Sequence, residues 1–444
     1  MSIQYILRSL VIILFLVFSV SQSGNSQDFQ CIYTQITDTI DADTRTVSTN
    51  SDGSLLVFVS DQDFAGMNVD GNLEIFLYDV FSETFTQITD TTGNLNISPT
   101  MSGDGSLVVF RSTHDLTGFN PDGNSELFLL KTDTLTLSQI TDTTGGGSIA
   151  NENPNINSDG THIAFQSNRD FTGMNADGNK EIFLLDIVGL VFTQITDTTV
   201  IDHNDMPAIS FDGSQVSFQS EGDLTGDNAD LSEELFLYDA VTDTITQVTK
   251  STDSTFQSNR FSSFSPDGTL IAFMSNLDLT GENPAGNEIF LYDIVTDEIT
   301  QITISIFPDG IPKFSPDGNS IIFSSENDIT GGNPDFNAEV FLYDLIEDRF
   351  LQYTDSTGGG LGISASFNSD LTFIASRSAM NVTGENADES VEIFIADCIA
   401  IVQNSGSGSE GGGCSLAPSS RDNIADLSLL MLIPALIVIR RFIF

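Results

Sequence analysis

The 444-residue chain has no tryptophan, three cysteines, three histidines and only 14 lysines and arginines. Each scarcity removes a class of function. The histidines, His114, His162 and His203, lie far from one another and from any cysteine, so no zinc-spaced cluster is present. No Gly-x-Ser-x-Gly elbow marks a nucleophilic serine. Without tryptophan, the indole platforms that stack sugar rings are missing, which weighs against glycoside chemistry. The few basic residues face 63 acidic ones, for a formal charge of −49. Such a surface repels phosphate, which excludes nucleic acid as a partner and leaves cations and basic protein patches as counterparts. The same charge also serves plain solubility.

What is abundant points to β-structure. Apolar residues make up 39% of the chain, 34 of them phenylalanine, and isoleucine and threonine are frequent. That composition suits a large buried aromatic core rather than disorder.

The two ends differ from the middle. Residues 1–26 read as a secretory signal peptide, with Arg8 ahead of an apolar run from Leu10 to Val20 and cleavage expected between Ser21 and Gln27. Cys31 follows Asp28, Phe29 and Gln30, not the small apolar residues that precede a lipidated cysteine. Residues 401–423 form a Gly/Ser-rich linker containing Cys414, and residues 424–444 hold an apolar run from Leu427 to Ile439 ended by Arg440 and Arg441. The last segment is long enough to cross a bilayer, with its arginines on the cytoplasmic side. The expected location is the periplasm or cell surface, with a membrane tether at the C-terminus.

Between the ends, over residues 30–400, one unit recurs roughly every 50 to 55 residues, a period that signals a propeller or solenoid. Each unit holds a Ser-Pro-Asp-Gly-like turn, an apolar strand, a loop rich in Gly, Asn and Asp, a Glu-Ile-Phe-Leu-Tyr-Asp strand and a Gln-Ile-Thr strand. The turn is best preserved at Ser265-Pro266-Asp267-Gly268 and Ser315-Pro316-Asp317-Gly318. Proline presets the second position of a type I turn, so each copy marks a tight hairpin. Gln-Ile-Thr or a close relative is centred on Gln35, Gln87, Gln139, Gln194, Gln247, Gln301 and Gln352. The first of these precedes every other strand, and none follows the last Glu-Ile-Phe strand at Glu392. The N-terminal strand should therefore complete the final blade. The predicted fold is all-β, a seven-bladed β-propeller of four-stranded blades closed into a ring with no free edge.

Aligned on the fifth unit, Cys31 and Cys398 fall at the two ends of one tight turn, so a disulfide between them is expected, which export permits. It would close nearly the whole propeller and contribute about 4 to 5 kcal/mol on the chain-entropy account. In the other reading, Cys398 to Ile401 runs on as its own outer strand and Cys31 is unpaired.

The Ser-Pro-Asp-Gly turns and the Asp-Gly-Asn-x-Glu-Ile-Phe-Leu-Tyr-Asp segments resemble the WD40-like (PD40) repeats of TolB-type propellers. The resemblance implies an exported propeller that binds protein. The glycine run, Cys414, the short apolar segment and the terminal arginines resemble the C-terminal sorting tails of bacterial surface proteins, which implies processing at Cys414. A plain single-span anchor with an incidental cysteine is the other reading.

The candidate site is the loop between the second and third strands of each unit. The first copy offers Asp63, Asn68, Asp70, Asn72 and Glu74. The second offers Asp115, Asn120, Asp122, Asn124 and Glu126, and the third Asp170, Asn175, Asp177, Asn179 and Glu181. These are hard oxygen ligands around glycines that let a backbone wrap closely, so calcium is a candidate cofactor. Asn, Asp and Gly also form turns by bonding their own backbone, and that reading is the stronger of the two. The spacing is not that of an EF-hand. Strand alternation places all these loops on one face, which should be ringed with carboxylates.

The functional expectation is a monomeric, non-enzymatic scaffold that presents this acidic face to a protein or glycan. The alternative is a hydrolase or lyase with carboxylate chemistry there, distinguished by two carboxylates of raised pKa near the central channel.

Overall fold

In the computed structural model the described residues are 29–400, apart from 40–43, 94, 145–150, 200–202, 252–258, 282–285, 306, 308, 356–363, 369–372, 380–382, 384–385 and 387–389. The expected signal peptide, linker, Cys414 and apolar tail lie outside them. Among the described residues no helix is long and apolar enough to cross a membrane.

The chain begins with β1 (Phe29–Gln35) and then repeats one antiparallel four-strand sheet. Blade 1 is β2 (Arg45–Thr49), β3 (Leu55–Ser60), β4 (Glu74–Asp79) and β5 (Thr84–Gln87). Blade 2 is β6 (Asn96–Met101), β7 (Leu107–Ser112), β8 (Glu126–Lys131) and β9 (Thr136–Gln139). Blade 3 is β10 (Glu152–Ile156), β11 (His162–Ser167), β12 (Glu181–Asp186) and β13 (Val191–Gln194). Blade 4 is β14 (Asn204–Ile209), β15 (Gln215–Ser220), β16 (Glu234–Asp239) and β17 (Thr244–Gln247). Blade 5 is β18 (Asn259–Phe264), β19 (Leu270–Ser275), β20 (Glu288–Asp293) and β21 (Glu298–Gln301). Blade 6 is β22 (Lys313–Phe314), β23 (Ser320–Ser325), β24 (Glu339–Asp344) and β25 (Arg349–Gln352). Blade 7 takes β26 (Ser364–Phe367), β27 (Phe373–Ser378) and β28 (Glu392–Ala400), and its fourth strand is β1.

Seven four-stranded sheets thus account for every strand described, and the N-terminal strand closes the ring as its early position in the sequence predicts. β1 runs antiparallel to β28 from Phe29↔Ala400 to Gln35↔Phe394, with Cys31 directly opposite Cys398. The inner strands β2, β6, β10, β14, β18 and β22 follow one another around the axis, and β26 returns to β2. No sheet edge is left between the first and last blades.

The core repeats with the sequence. In six blades a phenylalanine on the second strand faces one on the third, from Phe58↔Phe76 to Phe323↔Phe341. Their rings stack with centroids 5.6 to 6.0 Å apart. All twelve are fully buried, and among the described residues no other fully buried side chain is larger. Burying one phenylalanine is worth about 1.5 to 3 kcal/mol, so these pairs dominate cohesion within those six blades. Hairpins between first and second strands are set by the predicted turns. Gly268 N–H donates to Ser265 O at 2.9 Å, with Gly268 at φ +69°, a conformation that L residues resist.

Candidate functional site

Each candidate loop is held by its own side chains. Asp63, Asp115 and Asp170 accept a hydrogen bond from the backbone N–H of Asn68, Asn120 and Asn175 at 3.1, 2.9 and 3.2 Å. The three asparagines are buried, and their amides donate to the carbonyls of Asn72, Asn124 and Asn179 at 2.9 to 3.0 Å. Asp63, Asp70, Asp115, Asp122, Asp170 and Asp177 are exposed. The aspartates therefore form the loop surface and the asparagines its internal scaffold.

Glu74, Glu126 and Glu181 lie beneath the loops, not on them, each 0% exposed. Glu74 Oε1 accepts from Asn72 Nδ2 at 2.9 Å and from the N–H and hydroxyl of Thr91 at 2.7 Å each. Glu126 repeats this with Thr143 N–H at 2.7 Å and its hydroxyl at 2.6 Å, and with the Thr141 hydroxyl. Glu181 receives Thr198 N–H at 2.7 Å. The second oxygen of each carboxylate is reached from the next blade, by Asn96, Asn151 and Asn204 at 3.0, 2.9 and 3.1 Å. Burial raises the pKa of Glu181, and the donors from Thr196 and Thr198 oppose the rise. The ring closure uses the same device, because Glu392 accepts from the Thr37 hydroxyl and from Thr39 N–H at 2.7 Å.

Buried oxygens remain without a hydrogen bond inside these loops. Asn68, Asn72, Asn120, Asn124 and Asn175 each keep an Oδ1 that is buried and unpartnered. Among the described residues no group of three or more His, Cys, Asp or Glu side chains is placed to hold a metal ion.

The loop tips also carry exposed apolar residues that the sequence reading passed over. Met67, Phe119 and Met174 occupy the same position in three successive blades and are 50, 68 and 53% exposed. Blade 4 has Asp227 there. The signal was available in the sequence, as an apolar residue just before the loop asparagine in three copies only.

Two carboxylates do approach each other with raised pKa values. Asp309 stands where Asn96, Asn151, Asn204 and Asn259 stand in other blades. Burial pushes its pKa up to about 6, and the charge of Glu288 adds to the rise. Burial also raises that of Glu288. Asp309 is 4% exposed and Glu288 0%, so the pair is enclosed within the wall between blades 5 and 6. Asp309 accepts from the Ser305 hydroxyl at 2.9 Å and from Asn327 Nδ2 at 3.3 Å. The axial channel itself is lined by the inner strands around a cavity of about 480 Å³.

No family model matches the sequence, and no curated protein is significantly similar to it. Solved structures share its fold. An oligogalacturonate lyase from Vibrio parahaemolyticus matches with a TM-score of 0.56 and 16% identity, over 84% of this chain and 97% of that one. An oligogalacturonate lyase in complex with manganese matches with a TM-score of 0.54 and 15% identity, over 83% and 96%. TolB from Acinetobacter baumannii matches with a TM-score of 0.41 and 19% identity, over 64% of this chain and 60% of the TolB chain. The chain thus spans about three fifths of that TolB. The expectation of a non-enzymatic chain is corrected by the two lyases. They are enzymes that share this architecture over nearly their whole length, so a propeller without a visible catalytic motif gives no ground for excluding catalysis.

Proposed function

We propose that the chain is an exported propeller, tethered at the cell envelope by its C-terminal segment, that docks a protein through the loop face of blades 1 to 3. The observation that carries this reading is the exposed row of Met67, Phe119 and Met174 at one position of three neighbouring loops. Exposed carboxylates at Asp70, Asp122 and Asp177 flank them. Apolar anchors ringed by charge of one sign fit a partner with a small apolar patch inside a basic rim. Calcium within these loops is part of the proposal, supported by the unpartnered buried oxygens of Asn68, Asn72, Asn120, Asn124 and Asn175. Those oxygens, with the exposed aspartates, would hold the ion.

The test is a photo-crosslinking amino acid placed at position 67, 119 or 174 of the full chain in living cells. Position 241 serves as control, since Val241 is 81% exposed in a turn after the third strand of blade 4, on the opposite face. One discrete adduct from the three loop positions and none from 241 is expected. Equal labelling on both faces, or none on either, removes the reading.

A second reading is favoured by the lyase matches: action on a polysaccharide at the axial cavity. Turnover of an acidic polysaccharide by the purified chain, read as unsaturated product, would decide for it.

A further inference from the structure

The axial cavity departs from the rest of the molecule in its charge. Among the described residues, thirty line its 480 Å³, and none of those is aspartate or glutamate, in a chain with 63 acidic residues. One described lining residue is charged, Lys313 on β22. Its counterparts on the inner strands of blades 1 to 5 are Ser48, Thr100, Asn155, Ala208 and Ser263. Other basic side chains are matched by acids: Arg111 by Glu152 at 2.6 Å, Lys180 by Asp205 at 3.4 Å and Lys250 by Asp227 at 3.1 Å. The Lys313 ammonium has no hydrogen bond or ion pair among the described residues. Burial lowers its pKa, so the fold holds this cation at a cost.

The backbone around the cavity is strained in a repeated way. Thr46, Ser98, Asn153, Met206 and Phe261 have φ between 42 and 57°, and all five line the cavity. Each sits where the pairing of an inner strand slips, at a bulge between first and second strands of blades 1 to 5. A non-glycine residue in this region costs on the order of 1 kcal/mol or more, and bulges of this kind re-aim side chains beside binding sites. Five bulges at one level turn the same position of five blades toward the axis.

We propose that this cavity is a binding site for a small sugar acid, with its carboxylate on Lys313. The volume lies in the range of small-molecule pockets and exceeds what an inorganic anion fills. Hydroxyls and amides of Ser48, Thr100, Asn155 and Ser262 supply partners for sugar hydroxyls, and Pro99 and Pro154 supply apolar surface for ring faces. The absence of carboxylates from the described lining is what an anion requires inside a protein of charge −49. The site is the axial cavity of the second reading above and narrows what it would take, but binding is read here without turnover, so it can hold where that reading fails. It is separate from the loop face and does not depend on the docking proposal.

The test uses calorimetric titration of the full chain with D-glucuronate, D-glucose and inorganic phosphate. Saturable binding of glucuronate, at least tenfold weaker in K313M and restored in K313R, is expected, with no binding of glucose. K313M should melt no lower than the parent, because it removes an unpaired, half-buried cation, and a melting midpoint at or above the parent's separates loss of binding from misfolding. Phosphate binding as tight as glucuronate would reduce the cavity to a simple anion hole and overturn the sugar-acid assignment. Absence of glucuronate binding, or equal binding by K313M, would overturn the site.

Discussion

Asn96 crosses a blade boundary to donate its side-chain amide to Glu74 Oε2 at 3.0 Å, while its own Oδ1 accepts the Ser112 hydroxyl at 2.7 Å. Asn151 repeats the link between Glu126 and Ser167, and Asn204 between Glu181 and Ser220. Asn259 bonds Ser275 in the same way at 2.8 Å. A buried carboxylate of one blade is thus tied to the two inner strands of the next. Aromatic pairs hold six of the sheets together, whereas this polar chain fixes how consecutive sheets meet.

Removing one end of such a link should cost more than an ordinary surface hydrogen bond. Glu126→Gln replaces an acceptor that faces four donors with a group that is half donor, and strands at least one buried N–H or O–H. The expected loss is about 3 kcal/mol, since hydrogen bonds to charged groups are worth about 1.5 to 3 kcal/mol each and an orphaned buried group costs a similar amount. Asn151→Ala should lose about 2 kcal/mol by the same reasoning. Equilibrium denaturation in urea checks both. Losses below half these values would mean that water takes over the carboxylate and that the link is not structural.

The ring was legible in the sequence because its signals are local. Turn residues and the Gln-Ile-Thr strand ahead of all others needed no knowledge of distant contacts to be read. The Glu of each Asp-Gly-Asn-x-Glu segment was not legible as a buried residue, because a glutamate beside Gly, Asn and Asp reads as loop surface. Its burial depends on partners far away in sequence: Thr91 for Glu74, seventeen residues on, and Asn96 from the next blade. The recurrence of Asn96, Asn151, Asn204 and Asn259 at the start of inner strands was the available clue. The bulges that line the channel left less trace, since Pro99, Pro154 and Pro207 after them also suit an ordinary extended strand end.

Closure of the ring predicts a covalent bond. Cys31 and Cys398 are register partners on β1 and β28, so non-reducing peptide mapping of the exported protein should recover them in one disulfide-linked pair. Cys31→Ser should lower stability by up to about 4 to 5 kcal/mol on the entropy account, because the bond would span almost the entire propeller. Recovery of both cysteines as free thiols would remove the proposed bond and leave the Glu392 hydrogen bonds from Thr37 and Thr39 to hold the seam.

Calcium occupancy of the loops predicts a shift of the thermal midpoint. A ligand present at 100 times its dissociation constant stabilises by about 2.7 kcal/mol, and a handful of sites would add to this. Millimolar calcium should therefore raise the midpoint of the exported protein and EDTA should lower it by several degrees. Asn68→Ala, which deletes one buried oxygen, should shrink the response. Identical midpoints with calcium and with EDTA would mean that water satisfies these oxygens.

Asp309 gives blade 6 a pH dependence that its asparagine-bearing neighbours lack. Its carboxyl, at about 6 in the folded chain against an ordinary 3.8, holds its proton more tightly folded than unfolded. The stability it contributes is therefore complete below pH 3.8 and is lost as pH rises through 6, by about 3 kcal/mol in all. Asp309→Asn keeps the shape and removes the titration. The difference in unfolding free energy between variant and parent should grow in the variant's favour from pH 4 to pH 7 and then level off. Taking the difference cancels the repulsion among the other acidic residues, which both proteins share. A difference that stays flat across this range would show that Asp309 is ionised at neutral pH without penalty, and that Ser305 and Asn327 compensate fully for its burial beside Glu288.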